Sequence, residues 1–252
     1  MSICRRHFQR VSAAQAAAAT DAGAPINASA YELVLAQLAE DRRRLKAVQS
    51  IERKIEIKRQ RLPQYLPWIE GVLEGGRGGQ DAVLMTVMVW CIDTGEFEIA
   101  LRIAAYAIQH DLAMPDQYRR DVATLVAEEI ADVALAAFSA GGTFSDRVLA
   151  TAEALTQDRD MPDEVRAKVH KALGLALAAR LEGDDRPAAL ASRALEHLRR
   201  ALSLHERVGV KKDIERLERF IKNHPGTDAA DADASGVGRD TPPATAAEAS
   251  AG

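Results

Sequence analysis

The chain has 252 residues, 47% of them hydrophobic, 28% charged and only 4% aromatic, which suffices for one or two domains around a buried core. No apolar run reaches the ~18 residues a membrane span needs, the basic N-terminal stretch lacks the apolar segment of a secretory signal, and Cys4 and Cys91 make neither a disulfide framework nor a zinc site, so the cytoplasm is the expected compartment. The net charge is only −4, and any argument about a charged partner rests on where the charges fall.

Residues 1–29 are Ala-rich, broken by Gly23 and Pro25, and show no clear core pattern. They read as a mobile basic arm or a short helix, carrying Arg5, Arg6 and Arg10. Asn27 or Ser29 is placed to cap a helix starting near Tyr31. That helix is expected to run to about Leu62, where Pro63 stops it. Along it Tyr31, Val34, Leu38, Leu45, Val48, Ile55 and Leu62 occupy heptad a and d positions, interrupted by Asp41, Glu52 and Arg59. Such a narrow apolar stripe suits a contact between subunits, or a helix lying on the domain that follows. From Asp41 to Arg61 this stretch holds Arg42, Arg43, Arg44, Lys46, Arg53, Lys54, Lys58, Arg59 and Arg61 against the three acids Asp41, Glu52 and Glu56, a local +6. That is an electrostatic footprint for nucleic acid, or a solvated face with internal pairs such as Asp41 with Arg44 and Glu56 with Arg59.

Residues 63–222 read as a domain of helical hairpins. Pro63 and Pro67 are expected to form a turn that buries the ring of Trp68, and Gly75-Gly76-Arg77-Gly78-Gly79 a flexible loop. Apolar helices over 81–91 and 96–110 pair through Gly95, and Met114-Pro115 ends the second. A helix over 121–140 closes at Gly141-Gly142. Ser145 caps the next, over 146–158. Pro162-Asp163-Glu164 opens another, which runs to about Leu181. Helices over 187–207 and 210–222 complete the set, and Ala194-x₃-Leu198-x₂-Ala201 has tetratricopeptide-like spacing. From His224 on the composition is that of a disordered tail, with Asp228, Asp231, Asp233, Asp240 and Glu248 against one Arg. The expected fold is all-α: a mobile arm (1–29), a long basic helix (30–62), packed helical hairpins (63–222) and a disordered acidic tail (223–252).

Residues of known chemistry are sparse. The glycine-rich loop lacks the spacing and the Lys-Ser/Thr of a phosphate-binding loop. No His-Glu-x-x-His or Cys-x-x-Cys occurs, and the six histidines are scattered, with only His197 and His205 spaced to share a helix face. Glu56-x-Lys58 has a form met in nucleases, but lies in the basic helix. Asp121, Glu128, Glu129 and Asp132 read as a solvated acidic helix face. No catalytic residue, metal site or cofactor is assigned, and the residues by themselves describe a helical binding protein.

Three longer strings are more specific: Leu62-Pro-Gln-Tyr-Leu-Pro-Trp-Ile-Glu-Gly-Val-Leu, Met161-Pro-Asp-Glu-Val-Arg-Ala-Lys-Val-His-Lys, and Gly209-Val-Lys-Lys-Asp-Ile-Glu-Arg-Leu-Glu-Arg. With Gly79-Gln-Asp81 leading into Leu84, and Asp93-Thr-Gly95, they resemble the phage terminase small subunits of the peduovirus type, over roughly 10–222. The resemblance implies recognition of the cohesive-end site of double-stranded phage DNA in the host bacterial cytoplasm. It also implies assembly as a homo-oligomeric ring, and work with a large ATPase subunit to cut the DNA and package it into a prohead. The twelve cations Arg5, Arg6, Arg10, Arg42, Arg43, Arg44, Lys46, Arg53, Lys54, Lys58, Arg59 and Arg61 would then meet DNA, the a/d stripe would join subunits, and the acidic stretch 81–222 would face a protein partner. The family is catalogued as an endonuclease subunit, which would require Mg²⁺ held by carboxylates. Two alternatives therefore stand beside DNA recognition: an intrinsic nuclease, and an adaptor for the large subunit that does not touch DNA. The resemblance implies a Lys/Arg-rich tail, as in many members; this tail is acidic instead, and is expected to contribute nothing to phosphate binding.

Overall fold

The computed structural model describes residues 3–18, 28–115 and 119–224. Among these every regular element is helical: α1 (Ile3–Ala18), α2 (Ala28–Ala47), α3 (Ile51–Gly75), α4 (Ala82–Thr94), α5 (Phe97–Gln109), α6 (Val122–Ser139), α7 (Asp146–Thr156), α8 (Asp163–Ala178), α9 (Pro187–Leu204) and α10 (Lys211–Asn223), with one 3₁₀ turn at Leu181–Gly183. The all-α expectation is met. The expected tail from 225 on, and the break at Gly23 and Pro25, lie outside the described residues.

The helices pack mostly in chain order. Contacts run from α3 to α4, α4 to α5, α5 to α6, α6 to α8, α8 to α9 and α9 to α10, while α1 lies along α3 and α7 fills the side of α6 and α8. Helix α4 is apolar over most of its surface and largely buried, with Val83, Leu84, Met85, Val87, Met88 and Cys91 at 0% exposure, as suits a helix packed between α3 and α5. Burial, then Glu96, pushes the Cys91 thiol up to about 12, which keeps it an inert core residue.

Several helix ends follow local chemistry. Asp81 caps α4 by accepting from the Val83 and Leu84 amides, and Ser145 caps α7 by accepting from Val148. Gly95, at φ +85°, ends α4, its amide donating to Ile92 O and that of Glu96 to Cys91 O, a Schellman motif. Gly141 and Gly142 end α6 in the same way. Helix α5 stops before Met114-Pro115, because Asp111 takes the left-handed conformation (φ 49°) and the Leu112 amide returns to Ala107 O.

In the N-terminal region the short-helix alternative is met, while the long helix and its proline stop differ from expectation. Residues 3–18 form a helix with a core contact: Ala13 is fully buried, and Gly71 and Gly75 of α3 let α1 approach so closely that a Cβ on Gly71 would meet Arg10 O at 2.1 Å. The long helix is broken at 48–50, where Ser50 accepts from the Arg53 amide and caps a new helix; Ser29 lies within α2 instead of capping it. Pro63 and Pro67 do not end α3, which continues to Gly75. Burial of Leu62, Tyr65, Pro67, Trp68 and Ile69 along this stretch outweighs the two amide hydrogen bonds that proline removes.

Candidate nucleic-acid interface

The break at 48–50 gives the basic stretch its shape. Helix α2 is pinned to its neighbours by polar bonds on its inner side. The Tyr31 hydroxyl accepts from the Ala82 amide (3.3 Å), Gln37 donates to Gln64 (2.9 Å), and buried Asp41 accepts from the Tyr65 hydroxyl (2.7 Å) and pairs with Arg61 (3.4 Å). Burial and the Asp41 carboxylate push the Tyr65 phenol well above its ordinary value, so it stays a donor. Arg42, Arg43 and Lys46 of α2 line, with Lys54 and Lys58 of α3, a groove of about 520 Å³. Ala39, Leu45 and Trp90 complete its lining.

The five cations are differently engaged. Lys58 is half-buried and paired with Asp93 at the end of α4. Arg43 and Arg44 both bind Glu40, holding its carboxyl below the usual range. Lys46 and Lys54 form no ion pair among the described residues. Arg44 and Lys46 lie in the last turn of α2, where the helix dipole favours cations.

The other predicted residues are elsewhere. Arg6 and Arg10 line a second groove of about 410 Å³ between α1 and α3, with His7, Pro63, Pro67 and Glu70, and Arg10 pairs with Glu74 (3.3 Å). Arg5 is on α1, its side chain outside the described set. Arg53 is exposed at the start of α3, Arg59 donates to Thr94 O (3.4 Å), and Arg61 is held by Asp41. Thus five of the twelve cations converge, two share another groove, and Arg59 and Arg61 hold the fold.

The a/d stripe needs correction. Val34, Leu38, Leu45 and Leu62 are buried within the chain, and Tyr31 and Ile57 pack against the same core; Val48 and Ile55 are half-buried. The stripe holds α2 and α3 onto the domain instead of standing free for a second subunit. Trp90 was invisible as a groove residue because it lies in a run that reads only as core.

Among the described residues no three His, Cys, Asp or Glu side chains are close enough to hold a metal ion. Glu56 is exposed and accepts from Gln60 (2.7 Å). The acidic face of α6 is largely spent inside the fold: Asp121 caps the helix, while Glu128 and Asp132 pair with Lys168 of α8 (3.2 and 2.9 Å). Burial, then Asp93 and Asp132, raises the Glu129 carboxyl. His197 pairs with His170, Nδ1 to Nδ1 at 3.0 Å, and not with His205.

Residues 35–164, which include the groove, match the profile of the family described as "Phage small terminase subunit". The chain is 48% identical over 225 residues to "Terminase, endonuclease subunit" of Escherichia phage P2, covering 89% of this chain and 87% of that protein. It is 26% identical over 192 residues to "Probable terminase, endonuclease subunit" of Haemophilus phage HP1 (strain HP1c1), covering 74% and 68%. No solved structure matches it.

Proposed function

The chain belongs to the phage small terminase family, with a role in DNA packaging, and on that premise we propose that it is the subunit that recognises phage DNA. In this reading it engages the cohesive-end site and works with the large ATPase subunit, which cuts the DNA and packages it into the prohead. The observation that carries the reading is the convergence of Arg42, Arg43, Lys46, Lys54 and Lys58 from two helices on one open groove. Ammonium and guanidinium groups spaced along such a groove neutralise backbone phosphates and release counterions, and these contacts position the protein on the duplex. Ring assembly belongs to the same reading. With the a/d stripe buried, the large exposed apolar residues left for subunit contact in this region, among the described residues, are Ile3, Phe8, Val11, Leu33, Leu35 and Ile51.

The names of both relatives contain "endonuclease". Two carboxylates pair with the groove's cations, Glu40 with Arg43 and Asp93 with Lys58, but among the described residues no three His, Cys, Asp or Glu side chains come together to hold a metal ion, as Mg²⁺-assisted cleavage would use, so the reading assigns cutting to the large subunit.

One titration tests both points. The full chain is added to duplex containing the cohesive-end site, or to a scrambled duplex, across a salt series with Mg²⁺, and the strands are then run on a denaturing gel. Binding that prefers the site, falls steeply with salt and leaves the strands intact is expected. The variant Arg42→Ala/Arg43→Ala/Lys54→Ala should flatten the slope of log K against log salt by about 2.7, at ~0.9 for each phosphate left unneutralised. An unchanged slope removes the groove from the DNA-binding surface, and cut strands return the nuclease to this chain.

A further inference from the structure

Charge in the second half of the chain is unevenly placed, which corrects the expectation of one acidic surface over 81–222. Residues 81–185 contain nineteen Asp and Glu against nine Lys and Arg, a net −10, whereas 186–223 contain ten Lys and Arg against five acids, a net +5. The chain therefore has a second basic region, at the opposite end of the row of helices from α2 and α3.

The structure places these cations on the outside. Helix α10 buries Ile214 and Leu217 and rests on α9, which rests on α8. Lys212, Arg216 and Arg219, at i, i+4 and i+7, form one exposed line along α10, about 10 Å long at 1.5 Å per residue. Arg207 of the α9–α10 connection and Lys211 flank it, also exposed. Arg207, Lys211 and Lys212 form no ion pair among the described residues. Arg216 reaches Asp213 (3.2 Å), and Arg219 donates only to a backbone carbonyl of its own helix, Glu215 O (3.2 Å). Nearby Glu218 is neutralised by Arg199 of α9 (2.6 Å).

Two features decide which partner this surface fits. Lys211 and Lys212 open α10, and Val210 offers no side-chain cap. The helix dipole opposes cations there, so local helix stability does not account for them. Secondly, among the described residues the large exposed apolar side chains are Ile3, Phe8, Val11, Leu33, Leu35, Ile51 and Val133, and none belongs to α9 or α10. Protein interfaces are anchored by buried apolar and aromatic side chains; a surface that is basic, polar and without such anchors is the kind that meets nucleic-acid phosphates.

We propose that the outer face of α10, with the α9–α10 connection, is a second duplex-DNA contact that grips phosphates without reading bases. It rests on the DNA-binding reading above and is separate from the α2–α3 groove. The acidic middle of the chain repels the duplex between the two contacts, so DNA is held at both ends of the row of helices.

The test uses the full chain and a labelled duplex of scrambled sequence across a salt series. Lys212→Gln/Arg216→Gln/Arg219→Gln should flatten the salt slope by about 2.7, and weaken binding to the cohesive-end duplex and the scrambled duplex by the same factor. Arg207→Gln/Lys211→Gln, off the α10 line, should flatten it by about 1.8. Circular dichroism and the melting midpoint of both variants should match those of the parent chain, since every changed side chain is exposed. If both slopes stay at the parent value while the α2–α3 groove variant still flattens its own, the second contact is wrong and the DNA-binding reading stands. If the parent chain itself shows no salt-dependent binding, both fail. If the α10 variant keeps its slope but no longer captures the purified large subunit, the surface belongs to a protein partner and the proposal is overturned.

Discussion

Helices α2 and α3 follow one another in sequence, as do α8 and α9, but the two pairs are held in opposite ways. Helix α2 rests on the core through Val34, Leu38 and Leu45, and its further links to its neighbours are a few directional polar bonds: Asp41 to Tyr65, Gln37 to Gln64 and Tyr31 to the Ala82 amide. Helices α8 and α9 are held by close apposition. Gly174 faces Ala194 and Leu198 so closely that a Cβ there would meet Leu198 Cδ2 at 2.5 Å, and the His170 and His197 rings stack across the contact. Point attachment leaves a gap between helices, and the gap at α2–α3 is the cation-lined groove. Close apposition leaves none, so the cations of the C-terminal helices lie on the outer surface. The way a helix pair is held thus sets where its charges meet a ligand.

The largest expected effect tests the polar side of this comparison. Asp81, buried beside α2, accepts from Trp68 Nε1 (2.8 Å) and from the Val83 and Leu84 amides (2.7 and 2.9 Å). Asp81→Ala removes a cap and strands a buried indole N–H, which should cost about 3 kcal/mol in urea unfolding. A loss below about 1 kcal/mol would mean that apolar contact, and not polar bonding, holds this region.

A smaller effect separates the two regions by pH. Burial, then His197, lowers His170 to about 4, and burial also lowers His197. Unfolded histidine binds its proton near 6.5, so between pH 6.5 and 4 the unfolded chain carries the extra proton. Stability from this pair is complete above pH 6.5 and is lost as pH falls towards 4. Allowing for the pair's partial exposure, about 2 kcal/mol should disappear across that window. Denaturation series on the parent chain and on His170→Gln should converge at pH 4 and separate at pH 7. Parallel curves would show that the α8–α9 contact does not titrate.

The smallest effect sharpens the account of the groove. Asp93 is the carboxylate that holds Lys58. Asp93→Asn leaves the lysine its full charge for phosphate, and should tighten duplex binding a few-fold with little change in stability, as expected for a partly exposed pair. Weaker binding would mean that Asp93 orients Lys58 for the DNA instead of competing with it.

Much of the fold was legible wherever local chemistry decides. Gly95 and Gly141-Gly142 mark helix ends because only a residue tolerant of positive φ closes a Schellman motif at low cost, and Ser145 and Pro187 mark starts for equally local reasons. The candidate site was legible as a composition but not as a shape. The local +6 was plain in the sequence, yet which five of the twelve cations share a groove depends on the turn at 48–50 and on Asp41 drawing Arg61 inward. The second basic region is hidden whenever an acidic middle and a basic end are counted together.

That the chain is helical, where most of its helices stop and which family it belongs to are written in the order of its residues, because periodicity, caps and long characteristic strings are properties of neighbouring residues. That α3 runs through two prolines, that the a/d stripe is core, that His197 meets His170, and that the cations gather at α2–α3 and along α10 became visible in the packed fold alone. Each of these depends on contact between residues far apart in the chain, where burial outweighs local preference.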